Sequence, residues 1–176
     1  EDTTLSQGTE LIVAQAGLLK TLSPLALRPV VSPFLHAGDF GARGNGSDQT
    51  DALNAALTAA EGHTLFIAGG TYLIDGNHWL GKGLRPKSNT RIVLDPGVRM
   101  VLKVDPVFVA GTYQTPVLLL LRNVENVIIE GNNAILDGNR AAWLAAGAGV
   151  ENDPAQLKVL SHTIDVGGSK NIRISD

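Results

Sequence analysis

The chain has 176 residues, a net charge of −3, 44% hydrophobic and 18% charged residues, and no cysteine. That is enough for one globular domain, and it excludes a disordered chain, a disulfide framework and a thiolate metal site. Mild acidity without a basic run argues against nucleic acid or an anionic membrane as partner, and the cations are scattered. The most apolar early segment, residues 11–27, is interrupted by Gln15, Lys20, Ser23 and Pro24, so no membrane span of ~20 apolar residues is expected. His36, His63, His78 and His162 lack metal-ligand spacing.

In chain order, Leu5, Ile12, Ala16 and Leu19 fall roughly on one helical face, which predicts a helix over 4–22 that ends at Ser23-Pro24. Pro29 and Pro33 make 28–35 an extended connector. Residues 1–35 are therefore expected to be a helix and connector, and 36–176 the main body.

The body opens on DFGARGNG at 39–46, three glycines in eight residues, which predicts a tightly coiled backbone. Ser47 or Asp48 is placed to cap a following helix, and Asp51 sits in its first turn. Leu53, Ala56, Leu57 and Ala60 recur at i, i+3, i+4 and i+7, an apolar face made mainly of alanine, and Gly62 ends the helix.

Strands follow at 64–67, 71–74, 90–94, 98–104, 116–122, 123–130, 134–137, 161–166 and 171–175. Asp95-Pro96-Gly97 is a strong turn signal. Three segments share one grammar, a polar residue, then asparagine, then a short β run: Ser88-Asn89, Glu125-Asn126 and Lys170-Asn171. Such repeats point to a solenoid. Asparagine suits its bends because it tolerates the left-handed conformation, and stacked asparagines can form a ladder. Polar or small-residue excursions at 77–85, 105–115 and 138–157 are where a binding groove is expected.

The run DFGA-x-G-x-G-x-x-x-T-x-A-L-x-A-A-L, followed by a strand and GGTYLI, resembles the start of the pectate-lyase-like right-handed parallel β-helix proteins. The resemblance implies an all-β solenoid, a right-handed parallel β-helix whose open end is capped by an N-terminal α-helix. The superfamily includes polysaccharide lyases, polygalacturonase-type hydrolases, epimerases and phage tailspikes, and the fold does not choose among them. The implied function is the N-terminal portion of an extracellular or periplasmic protein that degrades a polysaccharide. The alternatives are a tailspike-type depolymerase on a virion surface and a non-catalytic glycan-binding or structural β-helix. Calcium enters only as a possibility implied by the resemblance.

A second segment, EGNNAILDGNRAAW at 130–143, resembles the G-x-I-D-G…W corner of polygalacturonase-like and epimerase-like β-helices. It nominates Asp137, Asn139 and Arg140 as substrate-binding residues, with Arg140 suited to a sugar carboxylate. An ordinary turn, with Asp137 bonded to backbone, is the plainer reading. In His162-Thr163-Ile164-Asp165, β alternation puts His162 and Asp165 on opposite faces, and both are nominated. Glycoside hydrolysis needs two carboxyl groups about 5–9.5 Å apart. The Asn-Thr-Asp and Asp-Pro-His catalytic patterns of these families do not occur, so no catalytic residue is assigned. The sequence stops within solenoid grammar. The expectation is a longer β-helix, completed by a continuation or by a second chain stacked on the last rung, with a homotrimer as a further possibility.

Overall fold

The computed structural model of the chain describes residues 12–15, 18–21, 34–77, 80–104, 116–146 and 162–176. The chain divides into two compact units, Glu1–Pro33 and Phe34–Asp176.

In the first unit, β1 (Ile12–Gln15) and β2 (Leu18–Thr21) pair antiparallel, with Ile12 opposite Thr21 and Gln15 opposite Leu18. This corrects the helix expected over 4–22. The apolar positions used for that helix are widely spaced, Gly17 is a poor helix residue, and Val13, Ile12 and Thr21 are β-branched. Local β preference therefore outweighs a sparse 3.6-residue pattern.

The second unit is mostly β. Three parallel stacks are visited in rotation. The first face holds β3 (Phe34–His36), β5 (Thr64–Ile67), β7 (Arg91–Leu94), β10 (Glu125–Glu130) and β13 (Lys170–Ser175) in spatial order. The second holds β4 (Asn45–Asp48), β6 (Gly70–Ile74), β8 (Val98–Leu102) and β11 (Ile135–Asp137). The third pairs β9 (Val117–Arg122) with β12 (His162–Gly167), and Leu84 bridges to Leu119 on the other side of β9. All the pairings in these stacks are parallel, an arrangement consistent with a parallel β-helix.

Register puts like upon like. Leu65 lies opposite Ile92, Ile92 opposite Ile129, Tyr72 opposite Met100, and Met100 opposite Leu136. Neighbouring strands are about 4.8 Å apart, so each inward side chain lands on its counterpart in the next coil. Along β5 and β7 of the first face burial alternates, because only the inward side meets the core; β9 on the third face, buried from Val117 to Leu121, departs from this. The interior is filled with aliphatic side chains. One void among them measures about 20 Å³, room for a single water at most, and its lining includes Leu57, Leu94, Met100 and Leu118.

The bends use asparagine as the repeat grammar implied. Asn89, Asn123, Asn126, Asn132, Asn133, Asn139 and Asn171 all have positive φ. Asn171 Nδ2 donates to Asn126 Oδ1 (3.0 Å), and Asn126 Nδ2 donates to Asn89 Oδ1 (2.9 Å). The three repeat asparagines thus form the expected ladder.

The helix α1 (Thr50–Ala59) buries Leu53, Ala56 and Leu57 as its periodicity required, with Ala60 buried just beyond it. Asp48 serves its start: Oδ1 accepts from Thr50 N (3.1 Å) and from Thr50 Oγ1 (2.7 Å). Ser47 instead bonds to Asn45 and Gln49. The first turn is tied to β6, since Asp75 N donates to Thr50 Oγ1 (2.7 Å) and Gln49 N to Leu73 O (2.9 Å).

A side chain from α1 also completes a ladder. Asn54 Nδ2 donates to Gly83 O (2.8 Å), and Arg85 N donates to Asn54 Oδ1 (2.9 Å). On its other side Leu84 gives and takes backbone bonds with Leu118 and Leu120. The Asn54 carboxamide therefore occupies the place of a peptide group beside Leu84.

Candidate functional site

Among the described residues, an arginine–carboxylate pair bridges successive rungs on each outer face of the coil. On the first face Arg91 grips Glu130 through both Nε (3.1 Å) and Nη2 (2.8 Å). On the second, Arg99 Nη2 reaches Asp137 Oδ2 at 2.6 Å. On the third, Arg122 Nη2 reaches Asp165 Oδ2 at 2.5 Å. Two lysine pairs flank α1: Lys82 with Asp51 (2.6 Å) and Lys103 with Asp48 (2.9 Å).

These pairs decide what the nominated carboxylates do. Asp137 ends β11, where its second oxygen accepts from Asn139 N (2.7 Å). The hydrogen bond from Arg99 comes first in holding its carboxyl below the usual range, then the Asn139 bond, both against the opposing effect of burial. Asp165 lies in β12 on a different face, already paired. The two do not face one another as an acid and base. Asn139 takes φ +55° and donates from Nδ2 to Leu102 O (2.9 Å), which pins the start of α2 (Arg140–Ala145). Arg140 stands exposed at that start, and Trp143, 4% exposed, anchors α2 in the core. Asp137, Asn139 and Arg140 thus share one corner, built largely as the turn the plainer reading described. His162 opens β12 opposite Val117.

The sequence reading missed α2, β3 and β4, and it treated the arginines as scattered. A signal was present: Arg91–Glu130, Arg99–Asp137 and Arg122–Asp165 are spaced by 39, 38 and 43 residues, about one coil each. The excursion at 105–115 lies outside the described residues, as do His78, Trp79 and positions 147–157 of the third excursion. Among the described residues no group of three or more His, Cys, Asp or Glu converges. No helix among them is long and apolar enough to cross a membrane.

The carboxylates give the fold an acid limit. Glu130 is lowered chiefly by the Arg91 bond. Burial pulls Asp48 upward, but its bonds from Lys103 and Thr50 together outweigh this and leave it lowered. A carboxyl lowered in the folded state binds fewer protons than in the unfolded chain. Its contribution is therefore complete above the ordinary carboxylate range and is lost as pH falls through the lowered value. The urea midpoint should hold from neutrality to about pH 5 and fall below about pH 4, less steeply in Asp137→Asn. A midpoint flat down to about pH 3 would show that these pairs contribute nothing.

The family described as rhamnogalacturonase A/epimerase, pectate lyase-like matches residues 34–149, and the chain belongs to it. Among solved structures, PfbA, a surface adhesin of Streptococcus pneumoniae, is similar at 17% identity with a TM-score of 0.48, over 81% of this chain and 32% of that one. ORF18 of Geobacillus virus E2 is similar at 14% identity with a TM-score of 0.38, over 71% of this chain and 28% of that one. This chain therefore spans about a third of the length of each. No curated protein matches the sequence.

Proposed function

We propose that residues 34–176 form the N-terminal coils of a right-handed parallel β-helix that acts on an extracellular polysaccharide, with α1 closing the first coil. The observation that carries this reading is family membership over residues 34–149. The filled interior supports it by leaving only the outer corners for a chain-like ligand. Arg140, exposed beside the Asp137–Asn139 turn, is the residue of that corner assigned to glycan contact. Asp137 and Asp165 each hold an arginine, and neither is assigned a bond-breaking role.

Two interior stacks reach exposed apolar side chains on β12 and β13. Val166 lies opposite Leu121 and Ile174 opposite Ile129, so both continue interior stacks. Leu121 and Ile129 are 0% and 4% exposed, whereas Val166 and Ile174 are 53% and 46% exposed.

A panel of immobilised acidic and neutral polysaccharides tests the function. Binding to at least one, followed by release of oligosaccharides detected by mass spectrometry, is expected of the complete protein. Binding to none would overturn the reading.

A further inference from the structure

Asn45 and Gly46 form the one Asn-Gly pair in the chain, and the fold leaves that pair unprotected. β4 is the end strand of the second face, all four of its residues are exposed, and its register to β6 breaks after Asn45. Gly46 has φ +79°, outside strand geometry, with open space where a side chain would stand. Its peptide nitrogen can therefore turn toward the neighbouring carboxamide by disturbing one edge strand only.

The carboxamide is held by one end. Asn45 Oδ1 accepts from Ser47 N (3.2 Å), Ser47 Oγ (2.7 Å) and Gln49 Nε2 (3.4 Å). These donors are fixed from behind. Gln49 is buried, its Oε1 accepts from Arg43 N (2.9 Å), and its Nε2 donates to Ser47 Oγ (2.6 Å), which leaves the Ser47 hydroxyl proton for Asn45. At the other end, Asn45 Nδ2 has no hydrogen-bond partner among the described residues. Three donors set on the oxygen polarise the Cγ carbonyl and stand ready for negative charge that develops there, while nothing holds the nitrogen back.

We infer that Asn45 is a site of deamidation through a succinimide, promoted by the Ser47–Gln49 cradle. Gly46 N gives its proton to solvent base and bonds to Asn45 Cγ, and the charge collects on Oδ1. The intermediate collapses, the Cγ–Nδ2 bond breaks, and Nδ2 takes a proton from water and leaves as ammonia. Water then opens the ring. Attack at Cγ breaks its bond to Gly46 N and gives aspartate; attack at the Asn45 main-chain carbonyl breaks the original peptide bond and gives isoaspartate. The aspartate keeps the donors of the cradle. The isoaspartate lengthens β4 by a methylene next to Gly44, whose carbonyl accepts from Thr71 N (2.9 Å), and so loosens the first two rungs of the second face. The reaction needs only water and stands apart from the polysaccharide reading.

Peptide mapping by mass spectrometry after incubation in mildly alkaline buffer tests it, on wild type, Ser47→Ala and Gly46→Ala, each shown to be folded by circular dichroism and each repeated in urea. In the folded chain Asn45 should convert faster than Asn132, Asn133 or Asn139, and faster as pH rises. Folded Ser47→Ala should convert about fivefold more slowly than wild type, the effect of one lost hydrogen bond to the oxygen, with no difference between the two in urea. Gly46→Ala should lose most of the conversion in either state, because its methyl crowds the attacking nitrogen. An Asn45 left intact in the folded wild type would overturn the site. Equal folded rates for wild type and Ser47→Ala would overturn the promotion by the cradle, and with it the inference.

Discussion

Gly70→Ala should destabilise the coil by about 4 kcal/mol, a large fraction of the ~5–15 kcal/mol that holds a typical domain together. Gly70 sits at φ +149°, and a Cβ there would lie 2.6 Å from Gly44 O and 2.8 Å from Gly44 Cα. Both obstacles are backbone and cannot swing aside. Gly44 O is also committed, since it accepts from Thr71 N (2.9 Å). The Tyr72 ring closes the same junction: it lies 3.0 Å from where a Gly44 Cβ would be, and its hydroxyl donates to Ala68 O (2.7 Å). The glycine-rich run at 39–46 and the GGTY run at 69–72 are therefore two halves of one contact between the first two rungs of the second face. Gly46→Ala is the control. It too has positive φ, at +79°, but open space around it, so it should cost only about 1 kcal/mol. Equal urea midpoints for the two variants would show that the close approach is not what demands glycine at 70.

Asn54→Ala should cost about 3 kcal/mol, even though alanine is the better helix residue by some tenths of a kcal/mol. The substitution strands Gly83 O and Arg85 N, the two peptide groups that the carboxamide serves. A half-buried orphan of this kind costs about 1–3 kcal/mol. Asn54→Asp separates the two roles. It keeps an acceptor for Arg85 N but sets a carboxylate against Gly83 O, so it should rescue little near neutral pH. Hydrogen exchange at Leu84 and Arg85 should accelerate in both variants while exchange in β10 changes little. Unchanged exchange at Leu84 would mean that water replaces the Asn54 amide without loss.

Much of the body's architecture was legible because its signals are local and repeated. Leu53, Ala56, Leu57 and Ala60 announced the buried face of α1, and the Ser-Asn, Glu-Asn and Lys-Asn starts announced the ladder. Strand positions over 64–137 could be read within a few residues because turn signals such as Asp95-Pro96-Gly97 separate them. The first unit was misread because its apolar spacing was too sparse to outweigh β-branched residues around a glycine. Short strands such as Phe34–His36 and Asn45–Asp48 carry almost no apolar pattern of their own. They exist because Thr64–Phe66 and Thr71–Leu73 offer them an edge.

The candidate site was harder to read, for a physical reason. Asp137 and Asp165 stood out as polar residues at a turn and beside a histidine, yet each is answered by an arginine one coil earlier. In a solenoid, function depends on what stacks a coil away, and a reading based on neighbours in sequence passes over it.

The most direct measurement is hydrogen–deuterium exchange with and without digests of the acidic and neutral polysaccharides of the binding panel. The account predicts new protection at outer corners of residues 34–176, the Asp137–Arg140 corner among them, and no change in the buried strands β5 and β7. Protection nowhere, or only within Glu1–Pro33, would contradict the claim that this coil recognises a polysaccharide on its outer surface.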